Sequence, residues 1–112
     1  MADSKADLLK GTLDLLILKA LTFGTQHGYG IARWLEESSG DLLRIEEGSL
    51  YPALYRMEKK GWIRSEWGLS ESNRRAKYYR LTSRGRDQLE AQALGWHRLV
   101  EAISMVLARE TA

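Results

Sequence analysis

The chain has 112 residues, 44% hydrophobic and 29% charged, with one proline, ten glycines and no cysteine. That is enough for one domain, with marginal burial in a lone monomer. It excludes disulfides, thiolate metal sites, cysteine nucleophiles and iron–sulfur clusters. The net charge of +2 conceals an asymmetry, because residues 56–86 hold ten Lys and Arg against three acids, a local +7 that leaves −5 on the rest. A basic block on an otherwise acidic chain points to an anionic partner met by one face, against the plainer reading of a chance solvated cluster. Residues Met1 to Asp7 lack the basic start and small-residue cleavage site of a secretory signal. The longest apolar run, Leu15 to Leu18, is far too short to span a bilayer. The expectation is a soluble cytoplasmic protein.

Residues Met1 to Lys10 are polar and read as a loose N-terminus, with a turn around Ala6 to Leu9. The first helix is expected from Gly11 to Leu21. Leu13, Ile17 and Ala20 mark one side of it and Leu15, Leu18 and Thr22 another, so a single apolar neighbour does not account for it. Gly24 to Gly28 reads as a turn. Tyr29 to Gly40 reads as a helix and its stop, with Ile31, Trp34 and Leu35 inward, and Asp41 to Ile45 as a connection that sends Leu43 and Ile45 to the core.

The next helix, within Glu46 to Gly61, has both ends written into it. Ser49 supplies an N-terminal cap, Pro52 fits a first turn, and Gly61 supplies a left-handed stop. Leu50, Leu54 and Met57 recur at core spacing, while Ser49, Pro52, Ala53, Tyr55, Arg56 and Lys59 fall toward the other side. Trp62 to Trp67 and Ala76 to Leu81 then read as two strands around a polar tip, Gly68 to Arg75. Three helices followed by such a ribbon is the order of a winged helix-turn-helix. The fold class is therefore mainly α with a small β-hairpin (α+β). Residues 1–81 form the DNA-binding unit with its flexible N-terminus, and 82–112 a C-terminal dimerisation helix.

That last helix is capped by Thr82 or Ser83. Leu89, Trp96 and Ile103 repeat in heptad register, with Ala93, Val100 and Leu107 beside them. Since the winged-helix core is complete by Leu81, the stripe should have nothing to cover in its own subunit. A homodimer follows, with the spare face of the first helix, Leu15 included, packing on the partner's last helix. Trp96 would meet its symmetry mate mid-stripe, either sealing the interface, the favoured reading, or flanking a flat cavity for a planar hydrophobic ligand.

The DNA reading gives each residue a role. Ser49, Tyr51, Pro52 and Tyr55 would enter the major groove. With no Asn, Gln or early Arg set for bidentate base contacts, DNA shape and apolar contacts should contribute to specificity. Arg56 and Lys59, further along, would touch the backbone, and Arg74, Arg75 and Lys77 would pair with phosphates or reach the flanking minor groove. Tyr51 reads equally well as a half-buried helix aromatic. Tyr79 and Leu81 are the residues expected to be buried, Arg64 and Arg80 are expected to pair with Glu66 or Glu71 across the hairpin, and Trp62 is expected to pack.

Four motifs in order carry a resemblance: His27-Gly28-Tyr29-Gly30-Ile31, Ser49-Leu50-Tyr51-Pro52-Ala53-Leu54, Lys60-Gly61-Trp62-Ile63, and Asn73 to Thr82. Together they resemble the PadR-like transcriptional regulators over nearly the whole chain. The resemblance implies a winged-helix fold, a homodimer, repression, DNA contacts at Tyr51, Arg75 and Lys77, and, in some members, phenolic or drug-like effectors at the dimer interface; a dimer would bind a two-fold symmetric operator with half-sites about one helical turn apart. No enzyme is expected, and no cofactor or metal. His27 and His97 have no carboxylate spacing around them, Gly28-Tyr29-Gly30 is only a turn, and no nucleophile or base is assembled. The alternatives are a winged helix serving as a protein-interaction module, with an acidic protein on the basic face, and an RNA-binding winged helix that prefers structured RNA.

Overall fold

The structure, a computed structural model, describes residues 4–111, with side chains from residue 12 onward. Among the described residues, four α-helices and three strands follow the order α1 (Ser4–Ala20), β1 (Gln26–His27), α2 (Gly28–Ser38), α3 (Glu47–Lys59), β2 (Ile63–Leu69), β3 (Arg75–Leu81) and α4 (Ser83–Leu107), with a short 3-10 turn, Leu21–Phe23, after α1. The architecture is the expected winged helix-turn-helix. Met1 to Asp3, part of the expected loose N-terminus, lie outside the described residues. From Ser4 on the backbone is already helical, so α1 begins seven residues before Gly11 and absorbs the turn expected at Ala6 to Leu9. Alanine, leucine and lysine there favour helix, and one internal glycine does not stop it.

Helix α1 is the centre of the core. Leu13, Ile17 and Ala20 are buried as expected, but Leu18, assigned to a face for a second subunit, is fully buried within this one. Ile31 and Leu35 of α2, Leu50, Ala53, Leu54 and Met57 of α3, and Ile63 and Tyr79 of the sheet close around it. Ala53 therefore belongs to the core and not to the polar side of α3. It lies three residues after Leu50 and four before Met57, in the same helical stripe. Leu43, Trp34, Trp62 and Leu81 pack against this cluster from its edge.

Both ends of the α2–α3 unit are fixed by backbone geometry. Gly40 (φ 61°) ends α2, with the Asp41 N–H donating to the Glu36 carbonyl at 2.8 Å. Gly61 (φ 79°) ends α3, with the Trp62 N–H donating to the Met57 carbonyl at 3.1 Å. These are paired closures around a left-handed residue, which glycine enters at least strain. The start of α3 departs from expectation. Its cap residue is Glu46, which makes no side-chain cap bond, and Ser49 is inside the first turn with its N–H donating to the Glu46 carbonyl at 3.0 Å. Pro52 therefore falls one turn deeper than expected; the carbonyl it cannot reach belongs to exposed Gly48, where water can replace the missing bond.

The sheet has the order β1-β3-β2, all antiparallel. Strand β1 replaces the turn expected at Gln26 and His27, which pair with Tyr79 and Tyr78. The ribbon register sets Ser65 opposite Tyr79, Trp67 opposite Lys77 and Leu69 opposite Arg75. Alternation then places Ile63, Ser65, Trp67, Arg75, Lys77 and Tyr79 on one face, toward α3. Arg64 stands opposite Arg80, so the expected pairing with Glu66 or Glu71 does not form; the ion pairs among the described residues are Arg33–Glu37, Arg56–Asp14 and Lys77–Glu58.

Helix α4 is capped by Thr82, whose hydroxyl accepts from the Gly85 N–H at 3.0 Å. Its 25 residues extend about 37 Å, which stretches the chain to 62 × 30 × 21 Å. The first turns are not spare, correcting the expectation that the stripe covers nothing in its own subunit. Leu89 packs against the core and α4 lies alongside α1. Beyond Ala93 the apolar residues lose that cover: Trp96, Leu99, Val100, Ile103, Val106 and Leu107 are all exposed.

Candidate nucleic-acid interface

Part of the basic segment forms two surfaces, the outer face of α3 and the inner face of the wing formed by β2 and β3, while Arg64 and Arg80 stand on the wing's other face and Arg84 and Arg86 begin α4. On α3, Ser49, Pro52, Tyr55, Arg56 and Lys59 are exposed. Lys59 Nζ sits 5.2 Å from the centre of the Tyr55 ring, which tethers a long side chain over an aromatic face one turn away. Arg56 is turned back toward the domain: its guanidinium donates to Asp14 of α1 at 2.8 Å.

Between α3 and the wing lies a cleft of about 680 Å³. His27, Gly28, Tyr29, Tyr51, Trp67, Arg74, Arg75, Lys77 and Tyr79 contribute to its walls. The structure thus brings together Tyr51, Arg74, Arg75 and Lys77 from the sequence-derived set, while Ser49, Pro52, Tyr55, Arg56 and Lys59 continue the surface along α3.

Tyr51 is packed on one side and open on the other, as a half-buried helix aromatic is. It is 44% exposed, yet the hydroxyl end of its ring lies against Gly28, where a β-carbon would come within 2.6 Å of the phenol oxygen. Glycine is required at 28 for this close approach. Partial burial, then the charge of Glu47, raises the Tyr51 hydroxyl above its ordinary pKa. The Tyr79 hydroxyl behind it is raised by burial, then by Glu58 and Tyr51.

Glu58 joins α3 to the wing. One carboxylate oxygen accepts from the Ser65 hydroxyl at 2.5 Å, and the other lies 3.8 Å from Lys77 Nζ. The pair is partly exposed and adds little stability by itself, and with the Ser65 bond it links α3, β2 and β3 at one point.

Three further residues of the cleft take positions that the sequence did not indicate. Trp67 is 56% exposed, with the Arg75 guanidinium 4.3 Å and Lys77 Nζ 5.9 Å from its ring centre. The alternation of β2 held the signal, since Trp67 shares a face with Ile63. His27 caps α2 through Nδ1, which accepts from the Gly30 N–H at 2.9 Å. Tyr29 stands exposed at the cleft edge, its hydroxyl accepting from Arg33 at 3.1 Å; this bond, then Glu37, holds Arg33 firmly protonated. Among the described residues, no group of three or more His, Asp or Glu could hold a metal ion, and no helix is long and apolar enough to cross a membrane.

Residues 17–91 match the Transcriptional regulator PadR-like family. Among solved structures, a PadR family transcriptional regulator from Eggerthella lenta is similar at TM-score 0.82 and 30% identity, covering 97% of this chain and 93% of that one. A transcriptional regulator from Clostridium thermocellum is similar at TM-score 0.81 and 32% identity, covering 88% and 96%. An uncharacterised protein of Lysinibacillus sphaericus is 29% identical over 103 residues, 92% of this chain and 94% of its own length.

Proposed function

This chain belongs to the PadR-like family of transcriptional regulators, and from that premise we propose that it is a homodimeric repressor that binds a two-fold symmetric DNA operator through α3 and the wing. The observation that carries the reading is the cleft. Tyr51 from α3 and Arg74, Arg75 and Lys77 from the wing line one opening, and the exposed face of α3 continues from it. A convex polar helix beside a basic ribbon fits a major groove and its flanking phosphates. Ser49, Tyr51, Pro52 and Tyr55 are assigned to the groove. Lys59, Arg74, Arg75 and Lys77 are assigned to phosphates, and Arg56 joins them on leaving Asp14.

The dimer rests on the exposed part of α4. Trp96, Val100 and Ile103 form an apolar strip without cover in one protomer, and a second copy of the same helix satisfies it. Leu89 and Ala93 sit at its root, where α4 leaves its own core, and Leu15 of α1 is half-buried in the domain. Two-fold pairing through α4 would present two α3 helices to half-sites about one turn of DNA apart. A planar aromatic effector, if one acts, belongs beside Trp96. Repression then needs only occupancy, since a bound dimer occludes the DNA it covers; the reading assigns the chain no catalytic step.

Replacement of Ile103 by Glu tests the arrangement. The variant should sediment as a folded monomer and lose operator affinity at least tenfold, because each half-site then binds alone. A monomeric wild type, or an Ile103→Glu monomer with undiminished affinity, would overturn it.

A further inference from the structure

The wing carries an exposed tryptophan that DNA binding by charge alone does not require. Trp67 of β2 faces the cleft directly opposite Lys77, and Arg75 lies diagonal to it on the same face of the sheet. Both cations rest on its ring, Arg75 at 4.3 Å and Lys77 at 5.9 Å. Two like charges two residues apart on one strand face repel each other, and attraction of both to the indole ring offsets part of that repulsion. Lys77 also has a competing partner, Glu58, at 3.8 Å on α3. Lys77 is thus shared between the carboxylate and the ring, whereas Arg75 without the ring would be an unrestrained chain in water.

Resting on the DNA-binding reading above, we infer that Trp67 is the positioning residue of the wing: its ring holds Arg75 and Lys77 in the cleft for phosphate contact, so an uncharged side chain governs part of the charge-dependent binding. The indole acts through the two cations. A planar guanidinium stacked on an indole keeps its N–H edge free for hydrogen bonds, because stacking uses the face and donation uses the rim. Orienting that rim before DNA arrives lowers the rotamer entropy lost on binding.

The test substitutes Trp67 with Leu, which keeps apolar bulk, and with Phe, which keeps an aromatic face. W67L should bind operator DNA about threefold to thirtyfold more weakly. The slope of log affinity against log salt should fall in magnitude by about one to two, as each lost phosphate contact removes about 0.9. No formal charge changes in this variant, so a purely structural role for the ring would leave that slope alone. W67F should recover most of both. In the free protein, the Arg75 δ-protons should show an upfield ring-current shift in wild type and W67F that is absent in W67L, with thermal unfolding unchanged because Trp67 is largely exposed. Wild-type affinity and slope in W67L would overturn the inference, as would equal losses in W67L and W67F or an unshifted Arg75 in wild type. Failure of the wild type to bind any DNA would instead remove the function reading, and the Arg75 shift would still report on the stack.

Discussion

Gly28→Ala separates the placement of Tyr51 from the stability of the fold. A β-carbon at position 28 would meet the Tyr51 hydroxyl at 2.6 Å and two ring carbons at 2.8 Å, so the ring must retreat by about 0.8 Å to reach ordinary contact at 3.4 Å. The obstacle is the far end of a side chain that is 44% exposed, so the ring can swing outward while the core remains in place. Leaving its preferred rotamer costs about 0.5–1.5 kcal/mol. Replacing glycine at the first position of α2, where φ is not positive, returns about 0.4–1 kcal/mol by restricting the unfolded chain. The two nearly cancel, and urea unfolding should move by less than about 1 kcal/mol. DNA binding should not be spared. If Tyr51 meets the groove from its seat on Gly28, its displacement loses a contact of about 1–3 kcal/mol, or roughly fivefold to 150-fold in affinity. Fluorescence anisotropy with operator DNA, run beside the urea curves, reads both quantities. Full affinity in a stable Gly28→Ala would refute the role of Tyr51, and a stability loss above about 3 kcal/mol would refute the claim that the ring is free to move.

Three further outcomes follow from the same geometry. Gly85→Ala should be far more damaging, at least about 2 kcal/mol in urea unfolding, because the new carbon would lie 2.1 Å from the Trp62 backbone carbonyl, which cannot swing away. Asp14→Asn releases Arg56 and removes a nearby negative charge, so it should tighten DNA binding severalfold while stability falls by no more than about 1 kcal/mol; weaker binding would mean that the ion pair aims Arg56 at DNA. The Tyr79 hydroxyl is raised above 10.0 in the fold by burial, then by Glu58 and Tyr51, so the unfolded chain loses this proton first. Its contribution is complete below pH ~10 and is lost as pH rises through the folded value, and Tyr79→Phe should flatten that alkaline decline in urea unfolding.

Elements announced by adjacent residues were legible in the sequence. Gly40 and Gly61 stop their helices, Thr82 caps α4, and alternating apolar residues mark the ribbon that buries Tyr79. Elements defined by distant partners were not. Strand β1 is two residues long and exists because Tyr78 and Tyr79 lie beside it. Asp14 and Arg56 are 42 residues apart, so no local pattern links them. At the start of α3, Glu46 and Ser49 compete as caps within one turn, and a stronger intrinsic cap residue lost to the backbone geometry. In the candidate site, the basic wing and Tyr51 were visible as types and order. Trp67 stayed hidden because its relation to Arg75 and Lys77 depends on the hairpin register.

The central claim is that the cleft and the outer face of α3 recognise a particular duplex. Fluorescence anisotropy should follow the protein on the DNA upstream of its own gene and on a scrambled duplex as salt is stepped from low to physiological. The account predicts tight binding to the upstream fragment that weakens with salt yet survives at physiological strength and exceeds binding to the scramble. Equal binding to both duplexes that vanishes at physiological salt would contradict it, leaving only a basic surface suited to an acidic protein.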